Sequence, residues 1–192
     1  MMSLYDLIVS RRSIRQFKPK PVSKDLLKDF VNAGRLAPSA ANRQPLEFIV
    51  VDEEGLRSQM FPCLKWAGYI APEGNPKQGQ EPQAYIVVLV NTRVREKGCE
   101  WDVGAAVENM ILAAWENGIG SCWIISVDRE RVRELLMVPE HYKVDSVLAL
   151  GYPAEAPMIE DLKDSVKYWK DPEGCLHVPK RKLEDVIHFN KF

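Results

Sequence analysis

The run at residues 85–90 constrains the fold of this chain more than any other segment. Its sequence, YIVVLV, has no charged residue and consists of aromatic and aliphatic side chains that favour a strand. Because polar and apolar positions do not alternate along it, we expect the strand to be buried on both faces of its sheet. The fold must therefore place a layer of structure on each side of that sheet, as an α/β or α+β domain does.

Helical and strand-like patterns alternate around this central run. The longest helix is predicted over residues 101–117, where apolar residues recur at helical spacing and Gly118 fits the left-handed position that follows. Shorter helices are predicted after the capping residues Ser3, Ser23 and Asp128. The remaining patterns predict helices at 4–10, 24–36, 56–61 and 129–137, and strands at 46–51, 122–127 and 146–150.

A chain of 192 residues, of which 46% are apolar and 28% charged, is long enough for one soluble domain with its own core. We expect a single domain over residues 1–192, whose polar stretch from about residue 157 lacks a core-like pattern. The net charge of −1 argues against nucleic acid or an acidic membrane as a partner, and no apolar run approaches the roughly 20 residues of a membrane span. Without a signal-peptide pattern, the expected location is the cytoplasm.

The cysteines and histidines suggest neither a metal site nor a disulfide framework. None of the four cysteines, Cys63, Cys99, Cys122 and Cys175, lies in a CxxC pair, and the three histidines are scattered along the chain. We therefore expect reduced thiols and no bound metal. The sequence also lacks the motifs of phosphate-binding loops, nucleophile elbows and zinc proteases.

Residues 11–15 concentrate positive charge near the N-terminus. Arg11, Arg12, Ser13 and Arg15 place three guanidinium groups and a hydroxyl within five residues. If the segment is extended, Arg11, Ser13 and Arg15 face one side and together offer forked donors to a phosphate. Considered alone, the cluster fits a solvated basic connector slightly better.

Three further segments are suited to approach a flat or phosphorylated ligand. The small residues and amides of 37–45, APSAANRQP, join a helix to a strand, and the turn at 117–123, NGIGSCW, has two glycines that permit close approach of the backbone. Lys180, Arg181 and Lys182 form a basic triplet near the C-terminus. Each segment also has a simpler interpretation, as an ordinary loop, a helix C-cap and surface charge respectively.

In this order and spacing, the segments resemble the nitroreductase family of flavoproteins, and the resemblance covers nearly the whole chain. It is carried by RRSIRQF, AGRLAPSAANRQP, DVGAAVENMILAAWENGIGSCWI, LALGYP and KRKLEDVIHFNKF. The resemblance implies an α+β fold with a central, mostly antiparallel sheet of four or five strands flanked by helices. It also implies an intertwined homodimer with two FMN sites at its interface, in which residues 157–192 form an arm over the partner and supply its fifth strand.

The same resemblance implies which residues hold non-covalent FMN. Arg11 and Ser13 are expected to bind the phosphate, with Arg12 beside it and Arg15 at the N1–O2 edge of the isoalloxazine. The other expected contacts are Pro38, Ser39, Ala40, Asn42 and Gln44 from the other subunit, Ile119, Gly120 and Ser121 over the ring, and Arg181 with Lys182 at the phosphate.

The implied activity is that of an FMN-dependent oxidoreductase. It takes electrons from NAD(P)H and passes them, by a ping-pong mechanism, to small electron-poor acceptors such as nitroaromatics or quinones. Because the flavin carries the chemistry, no catalytic side chain is expected. Two alternatives stay open, namely a reductive dehalogenase or another specialised reaction of the family, and a flavin-binding protein without catalysis.

The resemblance implies substrate contacts in residues 61–83, whose Gly- and Pro-rich part, residues 68–83, predicts a long surface loop or lid. Trp66 and Tyr69 are candidates for stacking on an aromatic substrate, although packing in the core or at a dimer interface also explains Trp66. Leu46 follows Pro45 at a position where the family often has an aromatic residue, which we interpret as a packing change.

Overall fold

The computed structural model describes residues 3–192 and confirms the expected α+β fold. Within those residues, five α-helices accompany a central four-stranded sheet and a second sheet of three short strands. In chain order the elements are α1 (Leu4–Ser10), α2 (Lys24–Arg35), β1 (Leu46–Val51), α3 (Glu54–Met60), β2 (Ala84–Asn91), α4 (Glu100–Glu116), β3 (Gly120–Ile124), α5 (Arg129–Leu135), β4 (Tyr142–Gly151), β5 (Met158–Asp161), β6 (Trp169–Lys170) and β7 (Leu176–Lys180).

The central sheet has the order β1-β2-β4-β3, and its three pairings are antiparallel. Strand β2 sends its side chains alternately into two cores, one shared with α3 and α5 and the other with α2 and α4. Tyr85 and Val87 lie in the first core, whereas Ile86 and Val88 lie in the second. The predicted burial of residues 85–90 on both faces is therefore confirmed.

Side-chain caps explain where the helices begin. Ser3 and Asp6 form a reciprocal capping box at α1, Ser23 caps α2, and Asp128 caps α5. Gly118, with φ of +70°, takes the left-handed position after α4. No helix within residues 3–192 combines the length and the apolar character that crossing a membrane requires.

Two strands differ from their predicted bounds by more than one residue at an end. Strand β3 spans 120–124 rather than 122–127, because Gly120 pairs with Gly151 of β4 and Val127 leaves the sheet to form an isolated bridge with Leu64. Strand β4 begins at Tyr142 rather than at residue 146, since residues 142–144 pair with the end of β2.

The segment after residue 157 contains a sheet that the polar pattern did not predict. Strands β5 and β7 are parallel, whereas β6 and β7 are antiparallel. His177 joins all three, because it stacks on Trp169 of β6 and its ring nitrogens contact Glu160 of β5 and Asp171 after β6. The polar pattern does not mark these strands, which the side-chain contacts of His177 link to one another.

Candidate functional site

The arginine segment, residues 11–15, lies across the ends of β3 and β4. The backbone N–H of Ile14 donates to the Ser121 carbonyl at 2.8 Å, and Ser13 forms a parallel bridge with Ser121. Ile14 is fully buried, whereas Arg11, Ser13 and Arg15 are half-buried. The bridge to Ser121 and the extended backbone of Arg11 meet the condition under which Arg11, Ser13 and Arg15 face one side, and they bring the segment beside residues 119–121.

A pair of glycines makes room for this contact. Gly120 and Gly151 lie opposite each other in the β3–β4 pairing. A Cβ on Gly120 would lie 2.7 Å from Cγ1 of Ile14, and one on Gly151 would lie 2.8 Å from Cδ1 of Phe17. The sequence predicts that Gly120 lets a ligand approach the backbone closely. In the structure, the side chain of Ile14 occupies the space beside Gly120.

Only some of the N–H donors of these guanidinium groups have partners in the protein. Nε of Arg11 lies 3.5 Å from the Glu108 carboxylate, and Arg12 donates to the Val9 carbonyl of α1 at 2.8 Å. The Nε atoms of Arg12 and Arg15 are buried and have no hydrogen-bond partner within residues 3–192. Burial, and then repulsion from Arg11, lowers the pKa of Arg12. Buried donors on clustered cations fit an anionic ligand.

Arg15 has neighbours that the sequence did not single out. Its Cζ lies 5.1 Å from the ring centre of Tyr168, and its backbone N–H donates to the Glu155 carboxylate. The nearby thiol of Cys122 is buried, which raises its pKa, while the charge of Arg15 opposes that rise. Tyr168 and Glu155 come from the polar stretch after β4, where no motif marks them.

Gln16 ties the predicted lid to the arginine segment. Its buried side chain donates from Nε2 to the Asn75 carbonyl at 2.8 Å and accepts from the Lys77 backbone N–H at 2.9 Å. The next residue, Phe17, donates its backbone N–H to the Gln80 carbonyl at 2.9 Å. Residues 71–83 contain no helix or strand, so these contacts determine where the lid lies.

The two candidate substrate residues have different environments. Trp66 is buried in the core and stacks on Phe61, with ring centroids 5.8 Å apart. Tyr69 is 56% exposed and packs against Tyr168, with centroids 5.0 Å apart. A buried ring does not stack on a substrate, so the structure places Trp66 in its packing role and leaves Tyr69 accessible.

The loop at residues 38–44 lies at the other end of α4. The backbone N–H of Ala40 donates at 3.2 Å to Oδ1 of Asp102, a buried carboxylate in the first turn of that helix. Ala41, Asn42 and Gln44 have φ values of 52°, 53° and 51°. Left-handed backbone at non-glycine residues is strained and concentrates at functional sites.

The expected ligand residues therefore form separate groups within one chain. Helix α4 has 17 residues, which corresponds to a length of about 25 Å. Residues 119–121 follow its C-terminal end and Arg11 contacts Glu108 midway along it, whereas the 38–44 loop contacts Asp102 in its first turn. Arg181 and Lys182 are exposed, and their polar contacts are with Asp185 and Asp161 of the C-terminal segment.

Comparison with known proteins supports one family. Residues 8–152, about three quarters of the chain, match the family model described as the Nitroreductase family. A protein of Archaeoglobus fulgidus, provisionally named NADH dehydrogenase/NAD(P)H nitroreductase, is 36% identical over 156 residues, which cover 78% of this chain and 84% of the relative.

Two further relatives differ in their named activities. The iodotyrosine deiodinase of Thermotoga neapolitana is 28% identical over 168 residues, which cover 80% of this chain and 90% of the relative. The solved structure of an FMN-dependent nitroreductase from Clostridium difficile R20291 matches with a TM-score of 0.68 and 28% identity, over 97% of this chain and 98% of that chain.

We expect Gly120→Ala to destabilise the protein by about 1–3 kcal/mol, because the added methyl group overlaps the buried Ile14 side chain. Urea unfolding measures the change. Gly68→Ala is the matched control, since an added Cβ on Gly68 meets no atom within 4 Å, and its free energy of unfolding should stay within about 0.5 kcal/mol of wild type. If the two variants are equally stable, the packing argument fails.

Proposed function

The chain belongs to the nitroreductase family, and we propose that it passes electrons from NAD(P)H through FMN to small electron-poor acceptors in a ping-pong reaction. The enzyme class, an FMN-dependent NAD(P)H oxidoreductase, follows from the family. The ping-pong order of the steps and the class of acceptor are proposed for this chain. The observation that carries the proposal is the arginine segment, with its buried unpaired donors, lying on the end of β3.

The residues of the arginine segment fit an FMN phosphate. Arg11 and Arg12 offer forked donors, Ser13 adds a hydroxyl, and a phosphate with nearly two negative charges would satisfy them. Arg15 lies further along the extended segment, where it would stabilise negative charge at the N1–O2 edge of the flavin ring. When bound, FMN supplies the redox chemistry by accepting a hydride from the nicotinamide and returning electrons to the acceptor.

A second copy of the chain would complete the site. Arg11 contacts Glu108 midway along α4, whereas the 38–44 loop contacts Asp102 in its first turn, and the resemblance to the family assigns these two groups to different chains of a dimer. A two-fold dimer would place the 38–44 loop of one chain beside the arginine segment of the other. The residues added by the second copy would be Pro38, Ser39, Ala40, Asn42 and Gln44, and the exposed C-terminal arm would bring Arg181 and Lys182 to the phosphate.

We propose that an acceptor would bind beside the lid, at Tyr69. Tyr69 packs on Tyr168, which in turn lies over the guanidinium of Arg15. This chain of contacts connects the exposed face of the lid to the residue proposed at the flavin ring. A flat acceptor would therefore stack on the flavin with Tyr69 at its edge, without a protein acid or base.

Reductive dehalogenation of a halotyrosine is the second candidate, because the Thermotoga neapolitana relative is named an iodotyrosine deiodinase. The lid carries Glu73 and Lys77, charges suited to the ammonium and carboxylate of an amino acid. Their backbone atoms are anchored by Lys170 and Gln16 respectively. One negative and one positive side chain are thus carried by a positioned loop.

The ping-pong reaction predicts that NADH or NADPH bleaches the flavin without an acceptor present. Anaerobic stopped-flow absorbance measures this step, after which the reduced protein is mixed separately with a quinone, a nitroaromatic and iodotyrosine. Fast reoxidation by the first two, with parallel double-reciprocal plots, supports the proposal. Iodide release with slow quinone turnover favours dehalogenation, and a flavin that neither nicotinamide reduces identifies a non-catalytic flavin protein.

Arg11→Ala should weaken FMN binding about 10- to 100-fold, because a hydrogen bond to a charged group contributes about 1.5–3 kcal/mol. Riboflavin lacks the phosphate, so its affinity for the variant should stay close to the wild-type value. Flavin fluorescence titration of the apoprotein measures both. Arg93→Ala is the control, as it removes an exposed guanidinium elsewhere. Equal losses for FMN and riboflavin would argue against a phosphate contact.

A mixed dimer of Arg11→Ala and Asn42→Ala chains tests the shared site. Each variant homodimer should lose most of its FMN, since both of its sites lack one contact. The mixed dimer has one site with both contacts intact, and should therefore hold about half of the wild-type FMN. Tandem purification of two differently tagged chains, followed by flavin absorbance, measures this. Complementation is absent if each site is built from one chain.

A further inference from the structure

The hairpin between β6 and β7 gathers a cysteine, a histidine and an aspartate that the proposed redox reaction does not use. The potential ligand atoms of Asp171, Cys175 and His177 all lie within 4.8 Å of one another. Oδ2 of Asp171 is 3.1 Å from Nε2 of His177. All three residues lie outside residues 8–152, the part of the chain that the family model matches. The family match therefore gives no reason for this cluster.

The hairpin itself creates the cluster. Lys170 pairs with Leu176, so Asp171 begins the turn and Cys175 ends it. Oδ1 of Asp171 accepts the backbone N–H of Cys175 at 2.7 Å, which fixes the turn and leaves Oδ2 toward His177. Cys175 and His177 are two positions apart in extended backbone, so their side chains project from the same face.

The imidazole of His177 is held in an orientation that suits a metal ligand. Its ring stacks on Trp169, with centroids 4.3 Å apart and 15° between the planes, and its Nδ1 lies 3.2 Å from Oε2 of Glu160. Glu160 is fixed in turn, because Trp169 donates from Nε1 to its other oxygen at 2.8 Å. A carboxylate that accepts a hydrogen bond from Nδ1–H leaves Nε2 as the ligand atom, as it does behind zinc-bound histidines.

We propose that Asp171, Cys175 and His177 form a zinc site, with Glu160 orienting the histidine. Zinc binds thiolate, imidazole and carboxylate in tetrahedral geometry at about 2.0–2.3 Å, which separates neighbouring ligand atoms by about 3.3–3.8 Å. Asp171 and His177 are already near that spacing. Cys175 is half-buried and its sulfur lies 3.6 Å from the Ala156 carbonyl, so rotation of its side chain completes the set.

Charge and coordination number agree with this assignment. One thiolate and one carboxylate together balance the two positive charges of the ion, and the imidazole binds as a neutral ligand. Three protein ligands leave the fourth tetrahedral position for water. Bound zinc would cross-link the two ends of the β6–β7 turn, and through His177 and Glu160 it would stabilise the packing of β5 against β7.

The site is tested with the full-length, FMN-loaded protein after removal of metal with a chelator. Calorimetric titration with Zn²⁺ should show one saturable site per chain. Cys175→Ser and His177→Gln should abolish that binding, and Glu160→Gln should weaken it about 10- to 100-fold, as loss of an orienting carboxylate does. His188→Gln is the matched control, because the ring of His188 contacts Phe192 outside the cluster, and this variant should bind zinc as wild type does.

Cobalt provides a second readout that does not depend on catalysis. Tetrahedral Co²⁺ with a thiolate ligand absorbs strongly in the red, where the flavin is transparent, and Cys175→Ser should remove most of that intensity. The three other cysteines remain in this variant as internal controls. The proposal is overturned by the absence of saturable zinc binding, by binding that survives both Cys175→Ser and His177→Gln, or by the weak spectrum of octahedral cobalt. None of these results depends on whether NAD(P)H reduces the flavin.

Discussion

The contact between the arginine segment and the paired glycines Gly120 and Gly151 is the constraint on which the candidate site depends. Ile14 and Phe17 fill the space that two side chains would otherwise occupy, and both are fully buried. The hydrogen bond from Ile14 to Ser121 sets the register. A slip of one residue would bury Ser13 or Arg15 in place of Ile14, so apolar packing selects which side chains remain available to a ligand.

The same contact positions the lid and the aromatic pair of Tyr168 and Tyr69. Gln16 continues the arginine segment and anchors the lid, while Arg15 lies against Tyr168 and thereby connects to Tyr69. At the N-terminal end of α4, Asp102 holds the 38–44 loop in place. It pairs with Arg95 and accepts the Ala40 N–H, which holds a loop whose left-handed residues would relax without support.

The sequence predicted those elements whose signals are local. Ser3, Ser23 and Asp128 bond to their own helices, and residues 85–90 contain the full apolar pattern of a strand buried on both faces. The sequence predicts the site only as a set of segments in a given order, and it does not predict the contacts between those segments. The neighbours of Arg15, such as Glu155 and Tyr168, are brought to it by pairing between residues far apart in the chain, for which no spacing rule exists.

The C-terminal sheet was missed for a related reason. Its strands have two to five residues, and polar contacts of His177 hold them together. A search for paired cysteines also misses Cys175. Its Cys-x-His spacing offers only two ligands, and the third, Asp171, comes close only when the hairpin forms. Composition and motif spacing can exclude familiar metal motifs, but they do not exclude a cluster made by a single hairpin.

The charge of the arginine segment links ligand binding to folding. Three guanidinium groups lie within five residues, and both burial and mutual repulsion disfavour the charged form of Arg12. The apolar packing of Ile14 and Phe17 must hold this segment in place against that repulsion. An anion bound only by the folded chain would relieve the repulsion, satisfy the buried Nε donors and shift the folding equilibrium toward the native state. The proposed cofactor would therefore stabilise the structure that binds it.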